Sequence, residues 1–114
     1  KTFTILHQNI DIIANKINRM NSLLEIQKPD VLTVTEHGQN KETLLNIRLI
    51  GYTLISDYSR KQHLKGGVAI YTKEHLKENS EAIITIEDLS IEMVCEVPVI
   101  KQKVGKSIFI IVGI

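Results

Sequence analysis

The stretch Pro29-Asp30-Val31-Leu32-Thr33-Val34-Thr35-Glu36-His37 decides how this chain folds. Its centre, Asp30 to Thr35, is largely β-branched, with Val31, Leu32 and Val34 apolar, as suits a strand buried in a sheet. Pro29 ends any helix before it, because its ring drives residue 28 out of the right-handed helical region. Upstream, Ile13, Ile17, Met20 and Leu24 fall on one stripe of an amphipathic helix, with Asn15, Lys16, Asn18, Arg19 and Asn21 largely off it. Asp11 is placed to cap that helix or to sit in its first turn, where a carboxylate is favoured. Earlier still, Thr2 to Gln8 alternates as a strand, with Phe3, Ile5 and His7 on one face, so His7 is expected to pack. Strand, helix and strand in about 35 residues form a βαβ unit, whose two strands are expected to be parallel.

Downstream of His37 the pattern turns to sheet. Lys41 to Arg48 reads as a short helix closed by Gly51, and Tyr52 to Ser56 as a short strand. Asp57 to Lys65 is a polar loop carrying Arg60, Lys61, His63 and Lys65. Gly67 to Thr72 is a strand opened by a glycine pair suited to a tight turn or bulge, and Glu74 to Asn79 is a polar connection. Strands follow at Ala82 to Ile86 and Ile91 to Val97. A turn around Lys101 to Lys106, with Gly105 in its loop, then leads into Ser107 to Ile114. The run Ile108-Phe109-Ile110-Ile111-Val112-Gly113-Ile114 has the continuous apolar character of a strand buried on both faces. It meets the end of the sequence without a turn or polar stop, so the chain is expected to be truncated there.

Composition bounds the function. With 114 residues, 43% hydrophobic, 24% charged and a net charge of +1, the chain is neither disordered nor collagen-like. No apolar run approaches the roughly 18 residues that span a bilayer, and no signal peptide precedes the first strand, so no membrane partner is expected. Near-neutral charge excludes a dedicated basic nucleic-acid binder but not an enzyme with a local basic rim. The single cysteine, Cys95, excludes an internal disulfide and a cysteine-built zinc site, reads as a buried thiol, and points to an intracellular compartment.

The chemistry gathers at two strand ends. Asn9 and Asp11 follow the first strand; Glu36 and His37 follow the second. If the strands are parallel neighbours, these residues emerge on one carboxyl edge, where open α/β sheets bind ligands. Two carboxylates and an amide oxygen suit a hard cation such as Mg²⁺ or Mn²⁺. The same residue types also serve as ordinary turn and cap residues at strand ends, and the residues alone leave both readings open. Arg60, Lys61 and Lys65 are either phosphate contacts or a solvated loop. His75 lies in a polar segment and is expected to be solvated.

Taken in order, His7-Gln8-Asn9-Ile10-Asp11, Lys28 to His37, Gly51-Tyr52 and Gly66-Gly67-Val68-Ala69-Ile70-Tyr71 resemble the amino-terminal half of the endonuclease/exonuclease/phosphatase superfamily. The Thr35-Glu36-His37 and Gly66 to Tyr71 forms are most similar to the apurinic-type endonuclease domains that accompany reverse transcriptases in non-LTR retrotransposons. The resemblance implies a four-layer α/β/β/α sandwich of the DNase I-like type, with residues 1–114 as a partial domain. It implies a DNA-nicking phosphodiester hydrolase using Mg²⁺ or Mn²⁺, nuclear if it acts on chromosomal DNA, with a reverse transcriptase domain as a partner in the same polyprotein. Glu36 is then the principal metal carboxylate, Asn9 an active-site amide and Asp11 a second acidic residue near the metal. Beside these, the residues themselves offer His37 as either a substrate contact or a structural residue supporting Glu36, and Arg60 and Lys65 as candidate DNA contacts.

The superfamily pattern also includes a Gly-Asp-hydrophobic-Asn motif, a terminal Ser-Asp-His motif and a Tyr after the strand that corresponds to Ser107–Ile114. None of these is in the 114 residues, so the isolated chain is expected to be inactive without the second half of its domain. A phosphoinositide or sphingomyelin phosphatase, and a non-catalytic binding module of the same fold, remain the alternatives.

Overall fold

The structure is a computed structural model and describes residues 3–59, 66–82 and 98–113. The expected strand Ile91–Val97, most of Ala82–Ile86, and Arg60, Lys61, His63, Lys65, Cys95 and Ile114 lie outside the described residues.

Four strands form the first sheet: β1 (Ile5–Asn9), β2 (Val31–Thr35), β3 (Tyr52–Tyr58) and β4 (Val68–Lys73). Their spatial order is β1-β2-β4-β3. β1 and β2 are parallel, as the βαβ reading requires, with Ile5 opposite Val31 and Asn9 opposite Thr35. β4 runs antiparallel to both β2 and β3. Central β2 is buried along its whole length, which explains its unbroken apolar and β-branched sequence. Asp30 opens β2 and ties its neighbours: Oδ2 accepts the Thr4 N–H at 2.8 Å, and Oδ1 lies 3.5 Å from Lys73 Nζ.

The pleat sends alternate side chains of β2 and β4 to opposite faces. Leu32, Val34, Ala69 and Tyr71 pack with Ile13, Met20, Leu24 and Leu44 in a core beneath the helices α1 (Ile17–Gln27) and α2 (Lys41–Asn46). Val31 and Ile70 point the other way and meet Ile100 and Ile111 of a second sheet. That sheet is antiparallel, in the order β5 (Ser80–Ala82), β6 (Val99–Val104), β7 (Ser107–Val112). Phe3 and Phe109 meet edge to face across the layers, their centroids 5.0 Å apart. Helices, sheet and second sheet are three of the four expected layers.

Several local expectations change. α1 begins only at Ile17, after a 3₁₀ turn at Ile13–Asn15. Asp11 is therefore neither cap nor first-turn residue. The chain from Ile10 to Ile13 is bonded to the residues after β2 instead and cannot wind into the helix. α2 stops at Asn46, and Gly51, with φ +83°, turns the chain into β3 rather than closing the helix. Lys101 to Val104 is strand, not turn: Lys101 and Lys103 face solvent while Gln102 is buried, the period of two that charge had masked. β7 is buried on one face only among the described residues, with Ile108, Ile110 and Val112 exposed. His7 is exposed, not packed, because among the described residues no strand of the second sheet covers that face of edge strand β1; Ile5 on the same face is 52% exposed.

The helix-side core carries a pH dependence. Tyr71 is buried, and among the described residues its hydroxyl has no hydrogen-bond partner. Burial first, then the Asp57 carboxylate, push its ionisation above the ordinary 10.0, and burial followed by Asp30 does the same for Tyr52. Both groups hold their protons more tightly folded than unfolded. Their contribution to stability is therefore complete below about pH 10 and is lost as the pH rises further. The urea midpoint should fall between pH 9 and pH 11, and Tyr71→Phe should shrink that fall.

Candidate active site

The parallel register brings the ends of β1 and β2 together. Asn9 is opposite Thr35, and the next residue, Ile10, donates its N–H to the Thr35 carbonyl at 3.0 Å. Two more bonds continue the alignment past the strands: Ile12 N–H to Glu36 O and Ile13 N–H to His37 O, each 2.9 Å. Asn9, Asp11 and Glu36 thus occupy adjoining backbone positions on one carboxyl edge, and all three are exposed. From the other side, Glu36 N–H donates to Gly67 O at 2.7 Å and Gly38 N–H to Gly66 O at 2.8 Å. The Glu36 peptide is held between the β1 loop and the start of β4.

Backbone strain concentrates here. Among the described residues, Asp11 (φ +42°), Ile12 (φ +68°), Glu36 (φ +57°) and Lys28 (φ +48°) are the non-glycine residues with positive φ. Lys28 is the left-handed cap of α1, an ordinary place for it. The other three lie at the strand-end edge, at a cost of roughly 1–3 kcal/mol each. For β-branched Ile12 this conformation is a genuine outlier. Such strain persists only where neighbouring bonds impose it, and it clusters where side chains are held for a purpose.

Lys16 supplies two of those bonds. Its Nζ donates to the carbonyls of Ile10 at 2.8 Å and Asp11 at 2.6 Å, stapling the strained loop. Nothing in the spacing of Lys16 had marked it as more than a polar helix residue. Lys16→Met should keep the stem but remove both charge-assisted bonds, lowering stability by about 1–2 kcal/mol in urea unfolding.

His37 is not a surface contact. It is wholly buried, its Nδ1 accepting the Gln39 N–H at 3.1 Å and its Nε2 meeting the Tyr58 carbonyl at 3.0 Å. The first bond makes Nδ1 the acceptor, so Nε2 carries the proton and donates it to Tyr58. The reading of His37 as a residue that reaches substrate is therefore corrected: the ring lies behind Glu36. The sequence signal for this was the Gly66-Gly67 pair, since a side chain at Gly67 would collide with the ring.

Asn9, Asp11 and Glu36 bring an amide and two carboxylates to adjoining backbone positions, the donor types that a hard cation such as Mg²⁺ takes. Among the described residues, no group of three His, Cys, Asp or Glu side chains is placed to hold a metal ion. A pocket of about 350 Å³ adjoins the edge, lined by Asn9, Asp11, Lys16 and Arg19 together with apolar Met20 and Leu23, but not by Glu36. A larger cleft of about 870 Å³ lies beside α1, Tyr52 and Lys73, but includes none of the three candidate residues.

No family model matches the chain, and no curated protein matches its sequence. Solved structures do match its fold. The AP endonuclease LMAP from Leishmania major superposes with a TM-score of 0.72 over 97% of this chain, at 15% identity. The 3′ phosphatase NExo from Neisseria, solved with a product DNA hairpin, superposes with a TM-score of 0.59 over 96% of this chain, at 17% identity. The chain shares their α/β, DNase I-like fold. It spans 39% of the first structure's chain and 40% of the second's. Among the described residues, no helix is long and apolar enough to cross a membrane.

Proposed function

We propose that this chain is the amino-terminal part of a metal-dependent phosphodiester hydrolase, a DNA-nicking endonuclease of retrotransposon origin. The observation that carries the reading is the strained carboxyl edge, where Asn9, Asp11 and Glu36 hold adjoining backbone positions in a fold shared with two DNA-processing enzymes. Glu36, helped by Asp11, would hold Mg²⁺ or Mn²⁺, and Asn9 would orient the scissile phosphate. A bound divalent cation supplies polarisation of a phosphoryl oxygen and stabilises charge on the leaving oxygen. Arg60 and Lys65 would contact the DNA backbone, and the enzyme would act in the nucleus as part of a reverse transcriptase polyprotein.

The 114 residues hold the cation side of such a site and not its general-base side. The exposed inner face of β1 and the exposed outer face of β7 fit a domain whose remaining half packs there. In this reading the isolated chain is inactive. Extended by its downstream coding sequence, the protein should nick supercoiled plasmid when given Mg²⁺, and the 114-residue chain should not. Faster release of phosphate from inositol phosphates than nicking of plasmid would overturn the DNA assignment in favour of the phosphatase reading.

A further inference from the structure

We infer that His37 is a positioning residue for Glu36: its buried ring latches the ends of β2, β3 and β4 together, sets the left-handed backbone at Glu36, and thereby sets the cation affinity of the edge. The effect on cation affinity rests on the hydrolase reading above, whereas the latch rests on geometry alone.

His37 directly follows Glu36 and is wholly buried. A polar ring is stable in such a place only if both nitrogens are bonded. One bond, Nδ1 to the Gln39 N–H, closes the local turn. The other, from Nε2 to the Tyr58 carbonyl, reaches the last residue of β3. The ring also lies hard against Gly67, where a Cβ would come within 2.5 Å of Nε2 and 2.6 Å of Cε1. Gly67 in turn offers the carbonyl that accepts the Glu36 N–H at 2.7 Å. One side chain therefore braces the strand end that bonds Glu36 and the neighbouring strand end that bonds itself. Without that brace, Glu36 would have less to hold it at φ +57°, and its carboxylate would swing with the relaxing peptide.

Two substitutions separate the bonds. In His37→Gln the amide nitrogen reaches about as far as Nε2 and keeps the Tyr58 link; in His37→Asn the amide oxygen replaces Nδ1 and keeps only the Gln39 turn. Amide hydrogen exchange of the 114-residue chain should quicken about tenfold or more at Glu36 and Gly38 in His37→Asn, with Leu32 and Ile70 unchanged. His37→Gln should stay close to wild type. Mn²⁺ affinity, read by paramagnetic NMR titration, should weaken about tenfold in His37→Asn and be largely retained in His37→Gln.

Unchanged exchange at Glu36 in His37→Asn overturns the latch, and so does equal acceleration at Leu32 and Ile70, which would mark His37 as a general stabiliser only. Selective exchange with unaltered Mn²⁺ affinity overturns its role in setting affinity. If the wild-type chain binds no Mn²⁺ while exchange responds selectively, the metal reading fails and the latch stands. Should His37→Asn not fold, the wild-type chain still decides: saturating Mg²⁺ should slow exchange at Glu36 and Gly38, and an edge indifferent to Mg²⁺ overturns the coupling.

Discussion

Glu36→Gln in the extended protein is expected to lower Mg²⁺-dependent nicking of plasmid about a thousandfold while leaving the fold intact. The substitution keeps the shape and length of the side chain and removes only its charge. Glu36 is exposed, and its backbone is held by the Gly67 carbonyl and the Ile12 N–H, neither of which the substitution touches. Thermal unfolding should therefore stay within about 1 kcal/mol of wild type, as for most surface changes. The loss falls on cation binding, which supplies several kcal/mol of transition-state stabilisation, and about 4 kcal/mol corresponds to that rate factor. Asp11→Asn should cost less, about tenfold, because a cation that keeps most of its waters depends most on its principal carboxylate. Nicking by Glu36→Gln within threefold of wild type would remove the strand-end edge as the active site.

Gly67→Ala is the substitution expected to cost most stability, about 3 kcal/mol or more. Two penalties add. At φ +88° an L side chain is strained, by roughly 1–2 kcal/mol. The new Cβ would also stand 2.5 Å from His37 Nε2 and 2.8 Å from the Tyr58 carbonyl oxygen. Neither neighbour can retreat easily, since the ring is wholly buried and the carbonyl belongs to paired β3. Overpacking of this kind adds roughly 1–3 kcal/mol. Gly105→Ala is the control: φ is +60° and nothing lies within 4 Å, so only the backbone penalty applies. Equal urea midpoints for the two variants would show that the His37 ring yields and does not brace the edge.

The fold was legible wherever a segment's own chemistry left no choice. Pro29 ends the helix; Val31 to Thr35 forms a fully buried strand; Met20 and Leu24 sit on the buried stripe of α1. It was misread where local chemistry and tertiary context disagree. Lys101 and Lys103 looked like a turn because charge is common in turns, yet their lysines hang off the solvent face of β6. Ile108, Ile110 and Val112 looked buried because they are aliphatic, although among the described residues nothing covers them. Asp11 looked like a helix cap because it precedes an apolar stripe. The carbonyls of Glu36 and His37 capture the N–H groups of Ile12 and Ile13, and the helix starts later.

By itself the sequence determined where the candidate residues stand. Alternation and helix periodicity place Asn9, Asp11 and Glu36 at or just past two strand ends before any contact is known, while leaving open whether they are turn residues or ligands. Only the tertiary structure decided how they are held. The left-handed backbone at Glu36, the Lys16 staple and the buried His37 ring against Gly67 join segments between 5 and 31 residues apart. Local propensity acts over a few residues and carries no information about such partners. The bonds that impose strain exist only once the parallel register has aligned Asn9 with Thr35 and set Gly67 beside Glu36.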